Sequence, residues 1–298
     1  MRLLILLNAA GGSAGDDTLP DRIASAFAEA GVEARVLTPP GEELAEAAQT
    51  PGYDGVVACG GDGTINAVAN ALVGGDVPLG VLPLGTLNHF ARDLGLPVAW
   101  EEAVGVIAAG QTRRIDVGEV NGRIFVNNSS VGLYAEMVTE RDRQRRRRGW
   151  RKGPAMLLAG WRTLRRFTRR RLVIRAEGAR AVLRSPLVFI GNNLYETSLP
   201  NPGTRHALDK GELCLAVTRH QSRWGLLRSG LRAMMGQLRE DRDFTLTRVS
   251  AVDIDSPLPM LRVSYDGEVR SMAPPLRYRT RPGALLVFAP PADSVGGP

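Results

Sequence analysis

The run from Asp54 to Cys59 (DGVVAC) is apolar after its first residue and passes straight into Gly60-Gly61-Asp62-Gly63-Thr64. Six residues are too few for a buried helix, so the run reads as a buried strand. Helical spacing resumes from Ile65 to Val73. A glycine-rich turn between a buried strand and a helix is what an α/β layer requires: the chain leaves the sheet, turns tightly and returns across its face. The pattern recurs along the first third of the chain. RLLILL (2–7) precedes the loop NAAGGSAG and a helix over 19–30 that Gly31 stops; VEARVLT precedes the short helix EELAEAAQ; and LGVLP precedes LGTLNHFARDLGL. Four strands alternating with helices predict a parallel sheet in a Rossmann-like α/β domain, with ligands at the carboxyl ends of the strands.

Beyond Asp116 the texture changes. GRIFVNNSSVGL, RRLVIRAEG, ARAVLRSPLVFIGNN, GELCLAV, FTLTRVSAVDI, MLRVSYDGEV and ALLVFAP are strand-like and separated by turn residues. Helical stretches interrupt at Pro154 to Phe167 and Trp224 to Leu238. This predicts a second, mainly antiparallel β domain of the sandwich type. The expected plan is 1–118, then 119–290, then a flexible tail over 291–298. A chain of 298 residues, 44% of them hydrophobic, has the length and apolar content for two cores.

Cysteine and histidine usage excludes two classes of scaffold. Cys59 and Cys214 each lie inside an apolar run and are expected as buried free thiols in a reducing cytoplasm. With His89, His206 and His220 they show no zinc-ligand spacing. Apolar runs are strand-sized, so no membrane span is expected. The start, MRLLILLNAAGGSAG, has too short an apolar core for a signal peptide and reads as a first buried strand.

The chemistry concentrates at Gly60-Gly61-Asp62-Gly63-Thr64-Ile65-Asn66. Glycines allow close backbone approach, and the helix start offers amide donors and a positive dipole end, which suit a phosphate. Asp62 fits there if a cation or a substrate hydroxyl comes between it and the phosphate; the plain alternative is a βα turn capped by Asp or Thr. A second strand–helix loop, Pro83 to Asp93 with Gly85, Thr86 and Asn88, would face the same crevice. No G-x-x-x-x-G-K-[ST] sequence is present.

These residues resemble the diacylglycerol kinase catalytic domain family, which includes bacterial lipid kinases and relatives of the sphingosine kinases. The resemblance rests on Asn8 with Gly12, GGDGTIN at 60–66, PLGTLNHFARDLGLP at 83–97, RRIDVG at 113–118, VGLYAE at 131–136 and YDGEV at 265–269. GGDGT alone is shared with NAD kinases; the GTxN loop about twenty residues later is more specific. The resemblance implies an NAD kinase-like, two-domain fold with ATP in the cleft between the domains. It implies nucleotide contacts from Asn8, Gly60, Gly61, Asp62, Gly63, Thr64, Ile65, Asn66, Gly85, Thr86 and Asn88. It further implies Asp116 near an ATP-bound Mg2+, and Glu268, with Asp62 and Asp266, in catalysis. Phosphoryl transfer needs positioning and an acceptor for the hydroxyl proton, and a carboxylate held in a tight β-turn such as YDGEV meets the second need. Ala9 and His89 depart from the family pattern, and Lys210 stands where some members carry an aspartate of a structural magnesium site.

Net charge is +7, but residues 141–175 hold 15 Arg/Lys against Asp142 alone, so the rest of the chain is acidic. Trp150, Leu157, Trp161, Leu164 and Phe167 lie among Arg145–Arg148, Arg162, Arg165, Arg166 and Arg169–Arg171. Arginine and tryptophan around an apolar stripe describe a helix lying on a lipid surface. The expectation is an enzyme peripheral at the inner face of the membrane, docked through 141–171, with a membrane lipid as acceptor. No nucleic-acid fold motif accompanies the charge, and no nucleic-acid partner is expected. Three alternatives stay open: a kinase of a soluble nucleotide acceptor, a nucleotide- or lipid-binding protein without catalysis, and a hydrolase using Ser13 in Gly11-Gly12-Ser13-Ala14-Gly15.

Overall fold

Strands β1 (Arg2–Leu7), β2 (Glu33–Leu37), β3 (Gly55–Gly60) and β4 (Leu79–Pro83) run parallel in the order β2-β1-β3-β4. Leu3, Leu4, Ile5, Leu6, Val57, Ala58 and Cys59 are fully buried. A parallel strand covered on both faces reads as a continuous apolar run, which is why these segments show no alternation. The computed structural model describes residues 1–8, 17–85, 88–132, 170–195, 204–205, 207–219, 222–234 and 243–290. The sequence-predicted helix at Pro154 to Phe167, the tail 291–298 and most of the basic segment lie outside them.

The chain divides into two units. Unit 1 comprises Met1–Val117, Ala207–Gly211 and Arg281–Pro298; unit 2 comprises Gly118–His206 and Glu212–Thr280. In unit 1 the sheet is joined by helices α1 (Leu19–Glu29), α2 (Leu44–Ala47), α3 (Asp62–Leu72), α4 (His89–Asp93) and α5 (Trp100–Ala108). In α1, Leu19, Ile23 and Phe27 recur every four residues and are the buried side chains; each contributes about 1.5–3 kcal/mol by leaving water. Pro20 sits in its first turn, and Gly31, at φ +74°, stops the chain beyond it. Phe288 packs among Leu3, Ile5, Val57 and Leu82, and a Cβ on Gly55 would stand 2.6 Å from its ring. The burial of Cys59 pushes its thiol pKa far up from the ordinary 9.0.

Unit 2 is built from two sheets. One orders β12 (Phe244–Val249), β11 (Leu213–Thr218), β10 (Leu187–Asn192), β7 (Asn128–Gly132), β14 (Leu261–Tyr265) and β15 (Glu268–Met272), every neighbour antiparallel. In the other, the first residues of β16 (Leu276–Phe288) pair with β13 (Ala251–Asp255), β13 with β8 (Arg170–Ala176), and β8 with β9 (Ala179–Ser185). Val131, Val188, Ile190, Leu213 and Val263 from the first sheet and Leu172, Ile174, Val252, Ile254 and Tyr278 from the second share one core. That is the expected sandwich. The hydroxyl of Tyr278 lies 3.0 Å from Ser129 Oγ, and its ring meets Phe125 edge-on.

The structure divides three segments differently from the sequence pattern. FTLTRVSAVDI is two strands, β12 and β13, which leave Ser250 for opposite sheets. ARAVLRSPLVFIGNN likewise breaks at Pro186 into β9 and β10. Both segments pass apolar alternation across a sheet corner, so their pattern continues while their partners change. Helix α3 starts at Asp62, three residues before the predicted Ile65, because Gly61, in extended conformation, is its N-cap. Helix α6 (Arg223–Met234) covers the described part of the stretch predicted from Trp224 to Leu238, and Arg232 ties it to the buried Asp243 at 2.7 Å. Among the described residues, no helix is long and apolar enough to cross a membrane.

Candidate functional site

In unit 1 two glycine turns pack against each other at the carboxyl ends of neighbouring parallel strands. A Cβ on Gly85, past the end of β4, would stand 2.7 Å from the Cα of Gly61, past the end of β3. Only glycine at Gly85 permits that approach without displacement. On the first turn, Thr64 and Ile65 return their amides to the Gly61 carbonyl at 2.9 and 3.2 Å. Thr64 Oγ1 accepts a hydrogen bond from Asn8 Nδ2 at 2.9 Å, and a Cβ on Gly60 would collide with that same hydroxyl at 2.5 Å. Asn8 itself donates its backbone amide to Cys59. The end of β1 is thus fastened to the first turn of α3.

On the second turn, Asn88 is buried in the left-handed region at φ +50° and is the N-cap of α4. Its Nδ2 donates to the carbonyls of Pro83 and Gly85, both at 3.1 Å, closing the loop on itself. His89 is exposed in the first turn of α4. Thr86 lies outside the described residues. Asn66 is buried and takes a hydrogen bond from Asn70 one turn further along, and the Ile65 side chain is wholly buried. What Ile65 offers a ligand is therefore its main chain. Asp62 is half-buried in the first turn of α3. The space around Gly63 is open: a methyl group there would meet nothing within 4 Å.

Asp116, on β5 (Thr112–Val120), is buried. Its Oδ2 accepts the amide of Gly211 at 2.6 Å, its Oδ1 accepts the amide of Gly283 at 2.9 Å, and its own amide donates to Leu208 at 2.7 Å. It therefore clamps the 207–211 loop and β16 onto β5. One amide on each oxygen occupies about half of the carboxylate's acceptor sites. Among the described residues, no group of three or more His, Cys, Asp or Glu gathers in a metal-holding arrangement. Asp209 and Lys210 are exposed neighbours, Oδ1 to Nζ 3.8 Å.

In unit 2 the second set of predicted residues stands on a two-residue hairpin. Asp266 and Gly267 both have positive φ, +43° and +87°, the geometry of a type I′ turn, and Glu268 pairs with Tyr265 across it. The buried Asp266 carboxylate accepts three successive amides: Val126 at 2.7 Å on Oδ2, then Asn127 and Asn128 at 2.9 and 3.0 Å on Oδ1. Glu268 is exposed. Its charge helps raise the Tyr265 hydroxyl pKa, although burial is the larger cause and Arg270 opposes both. The two carboxylates thus differ in kind: Asp266 is buried and committed to the backbone, whereas Glu268 is exposed beside the turn.

The segment that holds Asp266 is itself held from its other edge by residues that sequence reasoning did not find. Arg205, 3% exposed, donates Nη1 to the carbonyls of Val126 at 2.7 Å and Asn192 at 3.0 Å, and Nη2 to Asn127 Oδ1 at 2.9 Å. Asn192 Nδ2 adds a bond to the Val126 carbonyl at 3.1 Å, and Tyr195 donates its hydroxyl to the Asn127 carbonyl at 2.9 Å. The Arg205 guanidinium lies over the Tyr195 ring, 5.3 Å from its centroid. The only signal was weak: paired asparagines, Asn127-Asn128 and Asn192-Asn193, inside otherwise apolar strands.

Comparison with known proteins follows this division. The diacylglycerol kinase catalytic domain model matches residues 2–120, and the YegS C-terminal NAD kinase beta sandwich-like domain model matches residues 129–289. The chain is 39% identical over 146 residues to a Citrobacter koseri protein named "Probable lipid kinase YegS-like", covering 46% of this chain and 48% of that protein. It is 37% identical over 131 residues to a "Diacylglycerol kinase" of Staphylococcus saprophyticus, covering 41% and 42%. The matched part spans about half the length of these curated relatives. A crystal structure of a "putative diacylglycerol kinase" from Bacillus anthracis superposes with a TM-score of 0.76 at 22% identity, over 98% of this chain and 96% of that one; at that identity the likeness is one of fold.

Proposed function

Because the chain belongs to the family that joins a diacylglycerol kinase catalytic domain to a YegS C-terminal NAD kinase beta sandwich-like domain, we propose that it is an ATP-dependent lipid kinase, transferring the γ-phosphoryl group to the hydroxyl of a membrane lipid such as diacylglycerol. The observation that carries this reading is the contact of Gly85 on Gly61 at the carboxyl ends of β4 and β3. At the amino end of α3 the space around Gly63 is open to 4 Å, and a helix start with amide donors is the kind of surface that phosphate oxygens approach.

In this reading Gly60, Gly61, Gly63 and Thr64 present main chain to the nucleotide phosphates, and Asn8 and Asn88 hold the two turns in shape. Magnesium enters with ATP as part of that substrate. Glu268 accepts the proton of the lipid hydroxyl as its oxygen bonds to the γ-phosphorus and the bond to the β-phosphate oxygen breaks, leaving ADP and a phospholipid. Asp266 fixes the turn from which Glu268 projects, and Asp116 fixes the loop and strand it clamps. A peripheral position at the inner face of a membrane suits a bilayer-borne acceptor. The alternative of a soluble nucleotide acceptor shares the glycine turns and differs only in what meets Glu268.

The test is ATP-dependent phosphorylation of a mixed lipid extract with magnesium, comparing wild type with Asp62→Ala and Glu268→Ala. A new phospholipid that disappears in both variants supports the reading and names the acceptor. Tight ATP binding with no product from any lipid sinks it.

A further inference from the structure

The β8–β9 hairpin carries a charge arrangement that folding alone opposes. Its register places Arg171 opposite Arg184, Val173 opposite Val182, and Arg175 opposite Arg180. These six residues share one face, because side chains alternate along a strand. The other face carries Leu172 and Ile174, which are buried in the core of unit 2, and Leu183, which packs against it. The outward face is therefore an open ladder: two arginines, two valines, two arginines.

Directly opposed like charges destabilise an antiparallel pair, and here the opposition occurs twice within one hairpin. Acids on the adjoining strand relieve only part of it. Asp255 on β13 reaches Arg175 at 3.7 Å, and Asp253 is taken by Arg279 at 2.7 Å. Glu177, in the hairpin turn, accepts the amide of Ser250. Arg171, Arg180 and Arg184 are exposed and form no ion pair among the described residues. At the centre of the ladder Val182 is 53% exposed, and β9 ends its sheet. An exposed valine ringed by arginines on a sheet edge is a contact surface for something anionic that also accepts an apolar group.

We propose that the outward face of the β8–β9 hairpin docks on an anionic membrane surface, with Arg171, Arg180 and Arg184 on the lipid phosphates and Val182 against the headgroup boundary. The charge calls for a polyanion; the choice of a membrane deepens the lipid-kinase reading and rests on it. In sequence the hairpin begins where the 141–171 basic segment ends, sharing Arg170 and Arg171 with it.

The experiment is co-sedimentation with phosphatidylcholine vesicles containing a phosphatidylglycerol fraction, compared with pure phosphatidylcholine. Arg171→Gln/Arg180→Gln/Arg184→Gln is expected to weaken binding to the anionic vesicles by roughly 100-fold at low ionic strength, and Val182→Asp is expected to weaken it as well. Wild-type binding is expected to fall with added salt and to be absent on pure phosphatidylcholine. Thermal melts control for folding, and the single Arg184→Gln, which relieves one opposed pair, is expected to melt no lower than wild type while losing about fivefold in vesicle binding. Binding by the triple variant within twofold of wild type overturns the proposal. So does a single-stranded RNA oligonucleotide that binds more tightly than vesicles through the same three arginines. Vesicle binding needs no turnover, so the two readings fail separately. A wild type that phosphorylates no lipid, yet loses vesicles with the arginines, supports the docking face against the kinase. A wild type active on short-chain, water-soluble diacylglycerol whose vesicle binding ignores the arginines overturns the docking face alone.

Discussion

Arg205 and Asp266 hold opposite edges of one peptide group. The guanidinium donates to the Val126 carbonyl at 2.7 Å, and the amide on the other side of that same peptide, Asn127 N–H, donates to Asp266 Oδ1 at 2.9 Å. Drawing electron density toward the carbonyl side makes the N–H a stronger donor, so the two bonds reinforce each other. The next peptide repeats the arrangement, with Tyr195 on the Asn127 carbonyl and Asp266 on the Asn128 amide. A cation and an anion are thus coupled through the backbone between them, and the turn bearing Glu268 sits at the end of that coupling.

Replacing Arg205 with Met is therefore expected to cost about 2–4 kcal/mol of unit 2 stability, since three buried acceptors lose a charged donor. Arg205→Lys, which keeps a charge and up to three donors, is expected to recover part of it. Denaturant titration checks both. Amide hydrogen exchange adds a readout that general loosening would not give: faster exchange confined to 126–128 and 267–268 in the Met variant.

The two carboxylates of the hairpin are expected to separate in their variants. Asp266→Asn keeps the shape and loses the charge that accepts three amides, so stability falls by about 2–4 kcal/mol along with activity. Glu268→Gln touches an exposed group, so stability stays within about 0.5 kcal/mol of wild type while kcat falls by roughly 100-fold or more. Melts and steady-state kinetics on both variants decide it. An Asp266→Asn protein that is fully stable but inactive would transfer the base role to Asp266.

Alkaline loss of stability is expected in both units. Burial raises the Cys59 thiol above its ordinary 9.0 and the Tyr278 hydroxyl above its ordinary 10.0. Each group is neutral in the fold and ionises earlier when unfolded, so its stability is fully present below the unfolded value and is lost as pH rises above it. The slope is about 1.4 kcal/mol per pH unit for each group. Cys59→Ala is expected to remove the part of the pH dependence that begins near 9.0, apart from the loss of stability its smaller side chain causes at all pH values. Denaturant midpoints measured from neutral to strongly alkaline pH test this.

How far the sequence could be read depended on whether a residue's role is local. β1 and β3 were legible because continuous apolar runs ending in glycine have few other uses, and the Asp266-Gly267 turn because an X-Gly pair with positive φ fixes a tight hairpin. The divisions at Ser250 and Pro186 were not, since alternation is preserved when a chain crosses from one sheet to another. Arg205 was invisible for a different reason. Its partners lie at Val126, Asn127 and Asn192, up to 79 residues away, and a lone arginine in a loop carries no periodicity to betray its burial. Asp116 was legible as a position but not as a geometry: nothing in RRIDVG shows that both carboxylate oxygens meet glycine amides from 211 and 283.

The glycine turns offer a pair of substitutions with opposite expectations. A methyl on Gly85 would stand 2.7 Å from Gly61 Cα and 2.6 Å from Asn88 Oδ1, so Gly85→Ala must separate the two turns or displace the Asn88 side chain. It is expected to destabilise by about 1–3 kcal/mol and to raise the KM for ATP. Gly63 lies in the first turn of α3 with ordinary helical φ, and its methyl would meet nothing within 4 Å. Gly63→Ala is expected to stabilise the fold by up to about 1 kcal/mol, because alanine favours the helix and restricts the unfolded chain. If phosphate oxygens come down on the amino end of α3, that added methyl occupies their approach, and the KM for ATP rises in a protein that is more stable than wild type. Loss of nucleotide affinity together with a gain in stability separates an obstructed site from a damaged one. An unchanged KM in Gly63→Ala would move the nucleotide away from this turn.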